Sequence, residues 1–459
     1  MATATIQSGT INLLNTIIGA GILAMPYGLK SNGLAFGLLL IVWSALTSSF
    51  GLYLQTKVSK YTDQQTAVSF FSLSKLTYPS LSVVFDAAIA IKCFGVGISY
   101  LVIIGDLMPK IVEALASGAA DQWWNHRNTW ISVFMIFVAP LSFLRKLDSL
   151  KYTSVVALFS VLYLICLVVF HYFFGEGSET SAPEIEWFGP ISWRSTLRSF
   201  PIFVFAYTCH QNMFAIINEL AIDANAGSKT RQSNHVIRNA IATACVSYTI
   251  VAVSGYLTFG SAVNGNIITM YPKNSMSSLV GRLCIVVMVA LSFPLQCHPC
   301  RGSLNHVVYF IVEKFKRDPM ISEEHDALIE DDSGADNSFV STTPMEGAYD
   351  TAGHDPIVVP LTSRNFYYIT TGIVVFSYLI AISITSLEHV LALVGSTGST
   401  SISFVLPGLF GYLLIKPKPG QPATILEQFC KYGGLCLCLW GLLVMVVCLS
   451  ATLFLGATH

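Results

Sequence analysis

Charge is what this 459-residue chain has least of: Asp, Glu, Lys and Arg make up 11% of it, against roughly 25% in soluble domains. With 53% of residues hydrophobic, that shortage excludes a soluble globular protein and leaves a polytopic membrane protein. The apolar N-terminus lacks the basic flank and the small-residue cleavage site of a cleavable leader. No positioned nucleophile with a base is visible, which argues against an enzyme. Neither a filter-like carbonyl repeat nor a ring of charges speaks for a channel. The eleven cysteines fall in or beside apolar runs, where a thiol behaves as a small hydrophobe. Cys297 and Cys300 form a CxxC with no second pair, so neither a metal site nor a cofactor is expected.

What the chain has in abundance is apolar length. About 20 apolar residues span a bilayer as a helix, and eleven such runs are expected: 8–31, 33–56, 79–108, 129–144, 150–174, 196–220, 236–260, 278–312, 365–386, 388–415 and 430–456. Barrel strands would be short and alternating, so these are helices and the protein is all-α. With the N-terminus in the cytosol, seventeen Lys and Arg fall in cytosolic turns and seven on the far side, as the positive-inside rule asks. An odd span count then puts the C-terminus at His459 on the far side. Residues 316–362 are acidic, rich in Ser, Thr, Gly and Pro and poor in apolar residues, which predicts a disordered cytosolic loop. Within it, Glu324 precedes Leu328 and Ile329 by four, a pattern resembling a dileucine-type signal that a sorting adaptor reads for lysosome-like compartments.

Two of the runs are interrupted. The first, Asn12 to Pro26, carries Gly19, Gly21 and Pro26, poor residues for an unbroken helix, together with polar Asn15 and Thr16. The sixth carries Pro201 and a polar insert from Tyr207 to Asn212. Breaks in spans one and six are the placement expected of inverted repeats, spans 1–5 within residues 1–174 and spans 6–10 within 196–415, with span 11 (428–459) outside them. A half-helix start presents free N–H groups to a carboxylate, here from Gly19, Ala20, Gly21 and Ile22. Freed carbonyls attract a cation or an ammonium. The candidate site for an amino acid is therefore the break of the first span, with Thr16, Gly19, Ala20 and Gly21, facing the polar insert of the sixth, with His210. The bland alternative is that the glycines only permit close helix packing. Asn15 either coordinates a cation or the substrate amine, or makes an interhelical hydrogen bond of about 0.6 kcal/mol; Ser292, ahead of Pro294, is a further candidate oxygen ligand, or else bonds its own backbone. His210 can change charge near neutral pH, which suits a proton-coupled carrier, or it is a neutral ring satisfied by a backbone carbonyl. Lys92 lies near the middle of span 3, where an ammonium costs about 2.5–3.5 kcal/mol. It pairs with Asp86, replaces a coupling cation, or receives an acidic substrate side chain; Asp86, six residues away, lies on a different helix face. Glu219 gates the cytosolic mouth if it pairs with Arg231 or Arg238, and is otherwise a solvated end group like Asp106.

Four blocks in order, NLLNTIIGAGILAMPYGLKSNG at 12–33, FDAAIAIKCFGVGISYLVIIGDL at 85–107, AYTCHQNMFAIINEL at 206–220 and FPLQCHPCRGSL at 293–304, resemble the amino acid/auxin permease family. That family includes the neutral amino-acid transporters of animals and the vacuolar amino-acid exporters of fungi. The second block looks closest to the fungal vacuolar subgroup, one branch of which is associated with acidic amino acids. The resemblance implies a LeuT-like core of five plus five helices and one more, and alternating access. It also implies substrate contacts from Ile18 to Gly21 and Tyr207 to Gln211. In sodium-coupled relatives, positions matching Asn15 and Ser292 hold the ion, whereas vacuolar members are taken to use protons. The lumenal disulfide of many animal relatives has no counterpart here. The expectation is a monomeric amino-acid symporter in an acidic-organelle membrane, exporting to the cytosol down a proton gradient. An amino-acid sensor and a sodium-coupled neutral carrier are the rivals. The cargo is aspartate or glutamate if Lys92 lines the pocket, and a neutral amino acid otherwise.

Overall fold

A computed structural model of the chain describes residues 5–61, 68–78, 81–116, 118, 122–144, 153–175, 184–220, 228–273, 275–316, 361–417 and 422–454. The predicted loop at 316–362, with Glu324, Leu328 and Ile329, lies almost wholly outside them.

The first span is a bent pair. Thr5 caps α1 (Ile6–Ile17) by accepting from the Ser8 N–H at 3.2 Å. Ile18, extended at ψ 96°, ends that helix. The chain restarts as α2 (Gly21–Asn32), at 57° to α1. Gly33 then takes φ +74°, a conformation open to glycine, and turns the chain into α3 (Leu34–Val58). A short α4 (Phe70–Lys75) precedes α5 (Leu81–Leu115), and α6 (Arg127–Ser142) and α7 (Thr153–Phe174) follow. The sixth expected span is again two pieces, α8 (Trp193–Ala206) and α9 (Met213–Glu219), with non-helical backbone at Tyr207–Cys209 and a single tight turn at His210–Asn212. The long helices α10 (Lys229–Phe259), α11 (Met276–Lys316) and α12 (Ser363–Ser383) come next. Then α13 (Leu387–Val394) runs through two wide π-type turns, Gly395–Ser399 and Ser401–Val405, into α14 (Leu406–Leu414), and α15 (Ile425–Phe454) closes the chain.

Every regular element among the described residues is helical. Nine segments of them are long and apolar enough to cross a bilayer, and the α1–α2 pair makes a tenth if it counts as one span. The expected count of eleven is not reached because α6 has only 16 residues. At 1.5 Å per residue it rises about 24 Å, short of a hydrocarbon core of roughly 30 Å.

Burial sorts the helices into a centre and a shell. In α5 and in α8–α9, 83% and 89% of the apolar window lies inside the protein; in α7 and α12 only 33% does. The shell turns Leu39, Leu46, Phe137, Phe159 and Val446 outward, as lipid contact requires. Close crossings in the centre depend on glycine. A Cβ on Gly21 would meet Ala206 Cβ at 2.9 Å, and one on Gly28 would meet the Phe203 ring at 2.5 Å, so α2 lies directly on α8.

Candidate functional site

The two interruptions converge. Asn212, at the restart of the sixth span, donates from Nδ2 to Thr16 Oγ1 at 2.8 Å, and that hydroxyl donates to the Asn12 carbonyl at 3.0 Å. Beside this link lies a cavity of about 270 Å³, near the lower end of the size of small-molecule sites. Its floor is Thr16, Ile18 and Gly19; its walls are Gln211 and Asn212, Cys93 and Tyr100 of α5, and Ser292 and Gln296 of α11. It extends along α1 and α9 past Asn15 and Asn12 to Glu219.

Helix α2 begins at Gly21, so the N–H groups around the break precede its first internal hydrogen bonds and carry its positive dipole end. Ile22 is not among those available: its N–H donates to the Gly19 carbonyl at 3.3 Å, as that of Leu23 does to Ala20 at 3.2 Å. The two glycines differ. Gly19 faces the cavity, with the Tyr100 hydroxyl 3.7 Å from where its Cβ would be, whereas Gly21 faces α8. Ala20 is buried behind the lining.

Of the residues expected at the site, Asn15, Thr16, Ile18, Gly19, Gln211 and Ser292 share this cavity. Ala20, Gly21, Lys92, Tyr207, Thr208 and His210 do not line it. Tyr207 is fully buried; its carbonyl accepts from Ser48 Oγ at 2.9 Å. Thr208 donates to the Val204 carbonyl at 2.8 Å and accepts from Ser403 at 3.2 Å. The His210 ring faces α3, Nε2 lying 3.1 Å from the Ser48 carbonyl. A carbonyl accepts, so Nε2 carries the proton.

Lys92 is 3% exposed and lies one layer behind the lining, next to Cys93. The π-type stretch after α13 passes so close that a Cβ on Gly398 would meet the Lys92 N at 2.8 Å. No carboxylate pairs with Lys92 among the described residues. Asp86 is held instead by His306 Nδ1 at 3.1 Å. Glu219 forms no ion pair with Arg231 or Arg238 among the described residues, and Arg238 rests against His235 at 3.2 Å.

The opposite end of the bundle is cross-braced. Asp106, expected as a solvated or capping group, pairs with Arg127 at 3.4 Å and accepts from Asn266 Nδ2 at 3.4 Å. Arg127 also donates to the Ile384 carbonyl at 2.7 Å, and Lys30 and Lys110 donate to the Val263 and Thr269 carbonyls at 2.8 Å.

Sequence reasoning missed Tyr100, Gln296 and the cavity role of Glu219. Gln296 was within reach, since it lies one helical turn after Ser292 and so on the same face. Tyr100 carries no such local signal.

Two broken spans around one polar cavity define the class: a carrier of the broken-helix, LeuT-like fold. Two solved structures share that fold. Mhp1, a nucleobase-cation-symport-1 family transporter in a closed conformation with bromovinylhydantoin bound, aligns with TM-score 0.55 at 10% identity over 99% of this chain and 91% of its own. MhsT in complex with L-phenylalanine aligns with TM-score 0.51 at 12% identity over 97% and 98%. Residues 2–447 match the family described as transmembrane amino acid transporter protein, and the chain belongs to that family of membrane transporters. The chain is 44% identical to vacuolar amino acid transporter 6 of Saccharomyces cerevisiae, over 99% of this chain and 100% of the relative.

Proposed function

We propose that this chain is a proton-coupled carrier that moves amino acids out of a vacuole-type lumen into the cytosol. One observation carries the reading: the α1–α2 break and the α8–α9 break meet at a single cavity whose lining brings the amides of Asn15, Gln211 and Gln296 and the hydroxyls of Thr16, Tyr100 and Ser292 together with apolar side chains. The substrate carboxylate sits at the N-terminal end of α2, against Gly19. The amine meets Asn15, Ser292 and Gln211 oxygens, and the side chain extends toward Met288 and Leu295. Asn15 and Ser292 on walls of the same cavity support a shared role toward substrate amine or coupling ion. Repeats at 1–174 and 196–415 rock against each other to alternate access, the N-terminus is cytosolic and the C-terminus lumenal, and a monomer suffices. The vacuolar membrane is supported by the name of the 44% identical relative, and adaptor sorting by Glu324, Leu328 and Ile329.

Because Lys92 does not line the cavity, the first reading of the cargo is a neutral amino acid. A second reading, an acidic amino acid, is favoured by Lys92 itself. A buried ammonium with no carboxylate partner among the described residues, one residue from cavity-lining Cys93, would be compensated by an anionic cargo side chain.

The test is uptake of a panel of labelled amino acids by the purified full chain in vesicles, with and without a pH gradient. Gradient-dependent, sodium-indifferent flux is expected. Binding without flux would replace the carrier with a sensor, and sodium-driven flux of neutral amino acids would replace the proton.

A further inference from the structure

A hollow of about 380 Å³ lies where α3 and α14 end and α15 begins, and it shares no lining residue with the carrier cavity. Three lysines line it: Lys57 in the last turn of α3, Lys60 in the single turn that follows, and Lys416 just past α14. Lys57 rests over the Tyr53 ring at 5.4 Å. The Tyr61 hydroxyl accepts from the Lys416 N–H and donates to the Lys416 carbonyl, both at 3.3 Å, which ties one wall to the other.

Charge in this hollow is one-sided. Glu427 is the carboxylate in its lining. Its Oε2 accepts from the Thr424 N–H at 2.9 Å, while its own N–H donates to Thr424 Oγ1 at 3.2 Å, a reciprocal cap that engages it at the start of α15. None of the three lysines forms an ion pair among the described residues. The N–H groups of Ile425 and Leu426 precede the internal hydrogen bonds of α15 and add the positive end of a 30-residue helix at the rim. Three ammonium groups less one carboxylate leave a surplus of two. A phosphate monoester, at about −1.5 to −2 near pH 7, matches it.

Beside the lysines the surface is apolar. Ile425, Leu426 and Phe429 are exposed on the first turns of α15, and Phe50 of α3 meets Phe429 edge-on at 5.8 Å. A soluble anion has no use for such a face. A lipid does, with phosphates at the level of the lysines and acyl chains along α3 and α15. Basic pockets between membrane helices at the cytosolic side hold lipid headgroups in this way.

We infer that the hollow binds an anionic lipid whose headgroup bears phosphate monoesters, an inositol phospholipid by chemical class, and that the bound headgroup clamps the ends of α3, α14 and α15 together. Its place in the cytosolic leaflet rests on the orientation proposed above; the binding itself does not.

The test is equilibrium binding of dioctanoyl phosphatidylinositol bisphosphate to the purified full chain in detergent, with the thermal midpoint read in parallel. The lipid should raise the midpoint and bind about tenfold more tightly than dioctanoyl phosphatidylserine. Lys57→Gln, Lys60→Gln and Lys416→Gln should each weaken it about fivefold, the scale of one basic residue at an anionic lipid surface, with the lipid-free midpoint unchanged. Lys431→Gln is the control: that ammonium lies over the Tyr412 ring at 5.5 Å, at the same end of the bundle but outside the lining. Lysine variants that bind like wild type would overturn the proposal. Equal weakening by Lys431→Gln, or equal affinity for phosphatidylserine, would reduce the hollow to a diffuse positive surface and overturn it too. So would equal binding of inositol trisphosphate without acyl chains, or of inorganic phosphate, since the ligand would then be a soluble anion. A chain that binds the lipid yet moves no amino acid would end the carrier reading and leave this one standing.

Discussion

Gly19 and Gly21 stand two residues apart at the same break, and alanine at each should do opposite things. At Gly21 the added methyl would lie 2.9 Å from Ala206 Cβ and 3.0 Å from Ala206 Cα, against an optimum of roughly 3.5–4.0 Å for two carbons. Because part of the obstacle is backbone, α2 must lift from α8. Overpacking of this kind costs about 1–3 kcal/mol, offset by about 0.5–1 kcal/mol from replacing glycine in a helix. A net loss of about 1–2 kcal/mol follows, which lowers the thermal midpoint of a chain this size by about 1–2 °C. At Gly19 the nearest neighbour of the methyl is the Tyr100 hydroxyl at 3.7 Å, an ordinary contact. Stability should change by less than about 0.5 kcal/mol. That methyl enters the cavity floor where the substrate carboxylate is placed, so KM should rise about tenfold, the equivalent of ~1.4 kcal/mol. The assays are thermal unfolding in detergent and uptake in vesicles. Equal midpoints for the two variants, or a less stable Gly19→Ala, would refute the assignment of one glycine to packing and the other to the site.

The remaining predictions divide between site and scaffold. Thr16→Val removes the acceptor of the Asn212 amide at 2.8 Å; it should weaken substrate binding by about 1 kcal/mol, seen as a higher KM with an unchanged thermal midpoint. Lys92→Ala should abolish uptake of aspartate and glutamate if these are cargo and spare neutral amino acids, a choice read directly from the labelled panel. Arg282 is fully buried and donates to the Ile268 and Tyr271 carbonyls; Arg282→Met should destabilise by about 2–4 kcal/mol, since two buried acceptors lose their donor. His306→Ala takes one partner from Asp86, itself 1% exposed; a loss of about 1–3 kcal/mol, partly recovered by His306→Asn, should appear in the same melting experiment.

The positions of the spans and of both interruptions were legible from residues alone. Apolar length and helix-breaking composition are local properties, and each was readable in its own segment: Gly19 and Gly21 in the first span, Tyr207 to Asn212 in the sixth, whereas Pro26 and Pro201, expected to mark the interruptions, lie inside α2 and α8. Thr16, Ile18, Gly19 and Gln211 reach the cavity because they sit on those breaks. Asn15 and Ser292, one turn or less from an interruption or a proline, reach it as well. Which way a continuous helix is rotated is a different matter, since it depends on every neighbour at once. Lys92 and Cys93 are adjacent, yet Cys93 lines the cavity and Lys92 lies behind it; His210 and Gln211 are adjacent, yet one faces α3 and the other the site. The wide turns of Gly395–Ser399 and Ser401–Val405 likewise had no local signal, because small and hydroxyl residues fit an ordinary helix equally well. The Tyr248 hydroxyl lies 2.8 Å from the carbonyls of Ile17 and Ala206, residues 231 and 42 positions away. Only the packed bundle decides such a contact, because no segment carries information about the rotation and depth of another.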